Sequence, residues 1–165
     1  MDYSNLSNSS EHMELSGLSE KEMIYGLLFA VSNKLQACAD KMLPEITSRQ
    51  HFLLIVLSLF KDKHPSLKEV AEAVGSSYQN VKKMADSLEK KGFVELKRDD
   101  YDKRKYNIMM TEKISKLSEV INEETEIFMR DLYHGLTSED LRQAVAVLMQ
   151  MEMNLNIKTK GKGAE

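Results

Sequence analysis

The stretch from Pro65 to Gly92 constrains the chain more than any other, because each of its helix ends is marked by a residue suited to it. Ser66-Leu-Lys-Glu69 puts a hydroxyl at an N-cap and a carboxylate three residues on, a pair that satisfies amide groups left over at a helix start. Gly75 ends that helix, since glycine takes the left-handed backbone just past a C-terminus without strain. Ser76-Ser-Tyr-Gln79 opens the next helix, which runs to Lys91 and stops at Gly92. Helix, tight glycine turn, helix is the helix-turn-helix arrangement.

The same punctuation extends outward. Ser19-Glu-Lys-Glu22 is a capping box in front of a helix over about 20–40, with Met23, Leu27, Ala30, Val31, Lys34 and Leu35 at helical spacing. Pro44 closes the loop after it. Thr47-Ser-Arg-Gln50 caps His51 to Phe60, a segment apolar nearly all round and so expected to be a core helix. A buried strand competes for so short a run, but the cap favours helix. Phe93–Arg98 and Lys105–Met110 alternate in part, joined by the polar Asp99–Arg104, and predict an antiparallel hairpin with a charged tip. Thr111 caps a fifth helix with Ile114, Leu117, Val120 or Ile121, Thr125 and Phe128 on one stripe, and Gly135 breaks it. Thr137-Ser-Glu-Asp140 caps a sixth with Leu141, Val145, Leu148, Met151 or Glu152, and Leu155. The fold class is mainly α with a small β-hairpin wing. Residues 1–17 read as a flexible tail, 18–155 as the folded domain and 156–165 as a frayed basic tail.

The helix from Ser77 to Lys91 has an inner face of Val81, Met84 or Ala85, and Leu88. Its outer residues Ser77, Tyr78, Gln79, Asn80, Lys82 and Lys83 crowd the N-terminal half, where a helix in a major groove meets base edges. Gln79 and Asn80 suit adenine, and Lys82 and Lys83 suit guanine or phosphate. Lys103, Arg104 and Lys105 stand at the hairpin tip, with Lys97 and Arg98 at its base. A narrow minor groove draws in arginine. Asp102 is expected to hold the tip in shape by bonding Arg104 or a backbone N–H. Ser66 and Lys68, at a helix N-terminus, are candidate phosphate contacts. The net charge of −3 hides an uneven distribution: Lys63 to Lys113 carries 12 Lys and Arg against 9 Asp and Glu, the rest 11 against 17.

The run Ser66-Leu-Lys-Glu-Val-Ala-Glu-Ala-Val-Gly75, then Val81 through Leu88-Glu-Lys-Lys-Gly-Phe-Val94, Asp102-Lys-Arg104 and Met110-Thr-Glu-Lys113 resembles the MarR family of bacterial regulators, over roughly Leu18 to Leu155. In that family the leucine-glutamate-lysine-lysine-glycine ending closes the recognition helix and an aspartate-x-arginine marks the wing tip. Ile114 stands where many members have glycine, and Met110 where leucine is usual. The resemblance implies a winged helix-turn-helix over 47–111 and a homodimer joined through N- and C-terminal dimerisation helices, 20–40 and 112–155. Its two lobes would sit on a pseudo-palindromic double-stranded DNA operator, with Arg104 in the minor groove and Asp102 as its partner. It implies a cytoplasmic transcriptional regulator, more often a repressor, released by a small-molecule effector between dimerisation helices and DNA-binding lobe. Phe29, Asn33, His51, Phe52 and Ile55, with Met109 or Met110, are the expected lining.

Other functions find less in the residues. There is no Gly-rich phosphate loop and no Ser/His/Asp arrangement, so no enzyme is expected. His12, His51, His64 and His134 lack metal-ligand spacing, and no metal or cofactor is expected. Cys38, the single cysteine, lies between Ala37 and Ala39 and reads as a small buried hydrophobe; the competing reading is a redox-sensing regulator acting through it. No apolar run approaches the roughly 20 residues of a membrane span, and the polar N-terminus is unlike a signal peptide. The 11 methionines, Met149, Met151 and Met153 among them, suit a helical dimer core. A winged-helix module for protein–protein contact is the remaining alternative, against which the cations of helix and wing argue.

Overall fold

In the computed structural model, residues 17–43, 45–60, 64–99 and 102–161 are described. The elements are α1 (Glu20–Met42), α2 (Ser48–Leu59), α3 (Leu67–Val74), α4 (Tyr78–Lys90), β1 (Val94–Arg98), β2 (Tyr106–Met110), α5 (Lys113–Leu132) and α6 (Ser138–Gly161). Every element expected from the sequence is present. The N-terminal tail up to residue 16, Pro44, residues 61–63, Asp100, Tyr101 and the last four residues lie outside the described set, as do the side chains of Val120 and Ile121. The chain divides into two compact units, Met1–Ile121 and Asn122–Glu165.

The helix starts form as their residues dictate. Ser19, Thr47 and Ser66 each close a full capping box, with Glu22, Gln50 and Glu69 returning the bond. Thr137 does the same with Asp140: the Thr137 Oγ1 donates to Asp140 Oδ2 at 2.6 Å and the Asp140 N–H donates back at 3.2 Å. Those bonds hold the Glu22 and Asp140 carboxyls below the usual carboxylate range. Ser77 caps α4, accepting from the Asn80 N–H at 3.2 Å.

Two glycine turns close the middle of the fold. Gly75 has φ 68° and Gly92 φ 77°. Past Gly75 the Ser76 N–H reaches back to the Ala71 carbonyl at 3.0 Å, and past Gly92 the Phe93 N–H reaches Leu88 at 3.0 Å. These are six-to-one bonds of the Schellman type. The second is sealed by apolar contact, because Leu88 and Phe93 are both fully buried in one core. That core takes Leu53, Leu54 and Leu57 of α2, Leu67 and Val70 of α3, Val81, Ala85 and Leu88 of α4, then Phe93, Val94 and Ile108, and Leu117 of α5.

β1 and β2 pair antiparallel, with Val94 opposite Met110 and Arg98 opposite Tyr106. Both outer edges are covered. On one, Glu89 Oε1 accepts the Leu96 N–H at 2.8 Å. On the other, Ser66 bridges Asn107, and the Ile108 N–H donates to the Pro65 carbonyl at 3.0 Å. This is how a hairpin too small to stand alone is held.

Three expectations change. α2 is not buried on most sides: Leu53, Leu54, Val56 and Leu57 are inside, but Phe52, Ile55 and Leu59 are exposed. An all-apolar helix on one chain has a second face left over. α6 runs to Gly161, past the Leu155 limit drawn from its apolar stripe, because backbone helix continues where the stripe stops. Cys38 is exposed rather than buried, on a helix none of whose residues is buried.

Gly92→Ala should lower the unfolding free energy by about 1–2 kcal/mol in urea titration, the cost of a Cβ in left-handed backbone. An added Cβ would meet nothing closer than Lys113 Cδ at 4.0 Å, so backbone strain and not crowding sets the loss.

Candidate nucleic-acid interface

α4 presents a dry side and a wet side. Val81, Ala85 and Leu88 are fully buried, while Ser77, Tyr78, Gln79, Asn80 and Lys83 are exposed. The polar cluster at its N-terminal half therefore stands free of the core, as a base-reading face must. Lys82 departs from the group. It is half-buried, ion-paired with Asp86 one turn on, and its Nζ lies 5.2 Å from the centre of the Tyr106 ring. Lys82 stands against the wing, not out with its neighbours.

The wing tip is built on two aspartates. Asp99 Oδ1 accepts the Asp102 N–H at 2.9 Å, and Asp99 Oδ2 accepts from Asn107 Nδ2 at 3.2 Å. The backbone closes between Asp99 and Lys105 at 3.1 Å and between Lys105 and Asp102 at 2.8 Å. Asp102 Oδ1 then takes both the Arg104 N–H at 3.1 Å and Arg104 Nε at 3.3 Å. The expected Asp102–Arg104 bond is present. It orients a guanidinium whose side chain is 94% exposed. Lys105 Nζ lies 3.9 Å from the other Asp102 oxygen. Lys103 is exposed at the same turn.

At the wing base, Lys97 is exposed and 3.6 Å from Glu95. Arg98 is exposed, and its Nε donates to the Tyr106 hydroxyl at 3.2 Å. Ser66 and Lys68 sit at the start of α3. The Ser66 hydroxyl is committed to Glu69, donating to Oε2 at 2.7 Å and accepting the Glu69 N–H at 3.3 Å. A carboxylate thus already occupies that helix start, whereas Lys68 is exposed. Asp99, Asn107 and Tyr106 were not singled out from sequence. The hairpin register carried the signal for Tyr106, since it pairs Arg98 with Tyr106.

Behind the interface, polar groups fasten the end of α4. Gln50 is 6% exposed and spans the gap: Nε2 donates to Ser87 Oγ at 2.9 Å, and Oε1 accepts from Lys91 Nζ at 3.4 Å. Lys91 Nζ also donates to the Glu45 carbonyl at 2.7 Å. Lys113 Nζ donates to the Lys91 carbonyl at 3.0 Å, pairs with Glu45 at 2.8 Å and lies 4.2 Å from the centre of the Phe93 ring. Lys91 and Lys113 thus anchor the end of α4 to the loop before α2 and to Phe93.

Of the expected effector lining, Phe29 and Asn33 on α1 are exposed, as are Phe52 and Ile55 on α2. His51 is half-buried, and that burial holds its imidazole below its ordinary pKa. Met109 is half-buried and Met110 exposed. The ties from α1 to α2 run further along α1: Arg49 Nε donates to Gln36 Oε1 at 2.8 Å, and the Ser48 N–H donates to Asp40 at 2.6 Å. The Ser48 bond lowers the Asp40 pKa. Among the described residues no three His, Cys, Asp or Glu side chains gather as a metal site, and no helix is long and apolar enough to cross a membrane.

A sequence model of the MarR family matches residues 45–105, the segment that holds α2 to the wing. The transcriptional repressor MprA of Escherichia coli K12 is 30% identical over 89 residues, 53% of this chain and 51% of that protein. The chain thus matches about half the length of its curated relative. Among solved structures, a MarR protein from Peptoclostridium difficile is similar with a TM-score of 0.74, at 22% identity over 89% of this chain and 95% of that one. The S. aureus MepR–DNA complex is similar with a TM-score of 0.68, at 25% identity over 83% of this chain and 99% of that one.

Asp99→Ala removes the acceptor for two wing groups. The tip should then be nicked by trypsin several-fold faster at Lys103 and Arg104, with the urea midpoint of the core unchanged. Unaltered nicking would show that Asp99 does not hold the tip.

Proposed function

We propose that this protein, whose residues 45–105 match a sequence model of the MarR family, is a winged helix-turn-helix, sequence-specific double-stranded DNA-binding transcriptional regulator, a repressor released by a small-molecule effector. The observation that carries the proposal is the pairing of two exposed features in one unit. One is the polar cluster Tyr78, Gln79, Asn80 and Lys83 on α4; the other is a wing tip whose Arg104 is shaped by Asp102. Among the relatives, MprA is named a transcriptional repressor and MepR is seen on DNA.

The roles divide by chemistry. Gln79 and Asn80 offer paired donor and acceptor atoms to adenine, and Lys83 offers a cation to guanine or phosphate. Ser77 and Tyr78 lie at the helix start, nearest the backbone. Arg104 enters the minor groove, where negative potential is focused. Lys68, Lys97, Arg98, Lys103 and Lys105 neutralise phosphates. Ser66 gives both its hydroxyl and its N–H to Glu69, so the phosphate contact at this helix start falls to Lys68.

Two such lobes are needed for a pseudo-palindromic operator, spaced about 34–36 Å to meet successive major grooves. The side chains left over on α1 support a homodimer. None of its 23 residues is buried, and Tyr25 and Phe29 are 66% and 61% exposed. α6 also leaves Val145, Leu148, Met149 and Met153 exposed. An effector lodged against Phe29, Asn33, His51, Phe52 and Ile55 would act by favouring one lobe spacing over another. The protein works by binding in the cytoplasm and not by catalysis.

In a fluorescence-anisotropy titration with duplexes from the upstream region of its own gene, affinity should fall steeply with salt, by a log–log slope of about 0.9 per neutralised phosphate. Arg104→Ala should cost about 1–3 kcal/mol of that affinity with unchanged thermal unfolding. A folded protein indifferent to every duplex at low ionic strength would defeat the reading. Sedimentation should show a dimer of 18.9 kDa chains, and Leu27→Glu on α1 should yield monomer.

A further inference from the structure

The ring of Tyr106 lies where three elements meet. Lys82 of α4 places Nζ 5.2 Å from its centre, and Arg98 of β1 places Cζ 5.6 Å from it. Arg98 is also the cross-strand partner of Tyr106 and donates Nε to its hydroxyl at 3.2 Å. Two cations on one ring would repel each other, but Asp86 pairs with Lys82 and neutralises the helix side. The ring itself packs against the core. Lys82 is half-buried, whereas its neighbour Lys83 is exposed.

From this arrangement we infer that Lys82, Tyr106 and Arg98 form a strut fixing the wing against the recognition helix, and that Lys82 is a positioning residue and not a DNA contact. A lysine drawn onto an aromatic face and an aspartate has fewer free directions in which to reach a phosphate. Held so, α4 and the wing meet adjacent grooves as one preset unit, and the cost of ordering the wing falls before DNA arrives. The DNA consequence rests on the proposed function; the strut itself does not.

The test uses the full chain with Tyr106→Leu, Tyr106→Phe and Lys82→Met, each checked for folding by urea titration. Hydrogen exchange without DNA reads the strut directly. Amides of 97–99 and 105–107 should exchange about fivefold faster in Lys82→Met and Tyr106→Leu, the scale of a lost cation–π contact. They should change less in Tyr106→Phe, which keeps the ring face and loses only the hydroxyl that accepts from Arg98, with the amides of α2 and α3 unmoved throughout. Where Tyr106→Leu fails to fold, Lys82→Met, a change at the surface, decides. Wing exchange unaltered in Lys82→Met, or accelerated equally in Tyr106→Phe, would overturn the ring-face strut. Titration with duplex reads the role of Lys82: affinity should drop about fivefold in Lys82→Met at unchanged salt slope. A slope reduced by about 0.9 would place Lys82 on a phosphate and overturn its assignment as a positioning residue. If wild-type protein binds no duplex, the function fails while the exchange result still judges the strut.

Discussion

Everything on the outside of this unit is aimed by one turn on its inside. Between Leu88 and Phe93 the chain leaves α4, passes left-handed through Gly92, and returns the Phe93 N–H to the Leu88 carbonyl. Leu88 and Phe93 are both fully buried, so the turn can neither rotate nor slide without opening the core. It sets where α4 ends and in which direction β1 departs. The Thr111 side chain closes the base of the hairpin on the Gly92 carbonyl at 2.7 Å, and its N–H closes on Phe93 at 3.0 Å. Lys113 takes up the Lys91 carbonyl that the end of α4 leaves over, and Lys91 ties that end to the Glu45 carbonyl in the loop before α2. With those fixed, the helix and the wing have little freedom of placement left.

The wing uses charge in an economical way. Asp102 costs the interface one negative charge close to where phosphates would come, yet it holds Arg104 by both backbone and side chain. Arginine left to itself carries many rotamers into a groove, and losing them weakens binding. A carboxylate beside it trades some long-range attraction for a narrower search. The same logic applies one layer back, where Asp99 accepts from the Asp102 N–H and from Asn107 and so shapes the turn that presents them.

What could be read from residues alone was what chemistry makes local. Capping boxes at Ser19, Thr47 and Ser66, the glycines at 75 and 92, and the Asp102–Arg104 pair all act within a few positions, and each stands as read. What the residues alone left open depends mostly on neighbours that only the fold brings together. Lys82 looks like its neighbour Lys83 until Tyr106, from another element, is brought beside it. Ser66 looks like a phosphate donor until its own cap is drawn in full and Asn107 is found bridged to it. Cys38 looks buried because cysteine between alanines usually is, but it is exposed, on a helix none of whose residues is buried. The helical stripe in α6 marked contact and not helix length, so it stopped at Leu155 while the backbone went on to Gly161.

The bare apolar surface of α1 has a thermodynamic corollary. A helix without buried residues draws almost nothing from tertiary packing, and in water its own hydrogen bonds leave it close to marginal. Whatever covers those side chains lends stability by mass action, growing with the logarithm of its free concentration. The melting of α1 is therefore a property of the solution as much as of the polypeptide. The core around Leu53, Val81 and Phe93 keeps a transition of its own, and dilution is the variable that pulls the two apart.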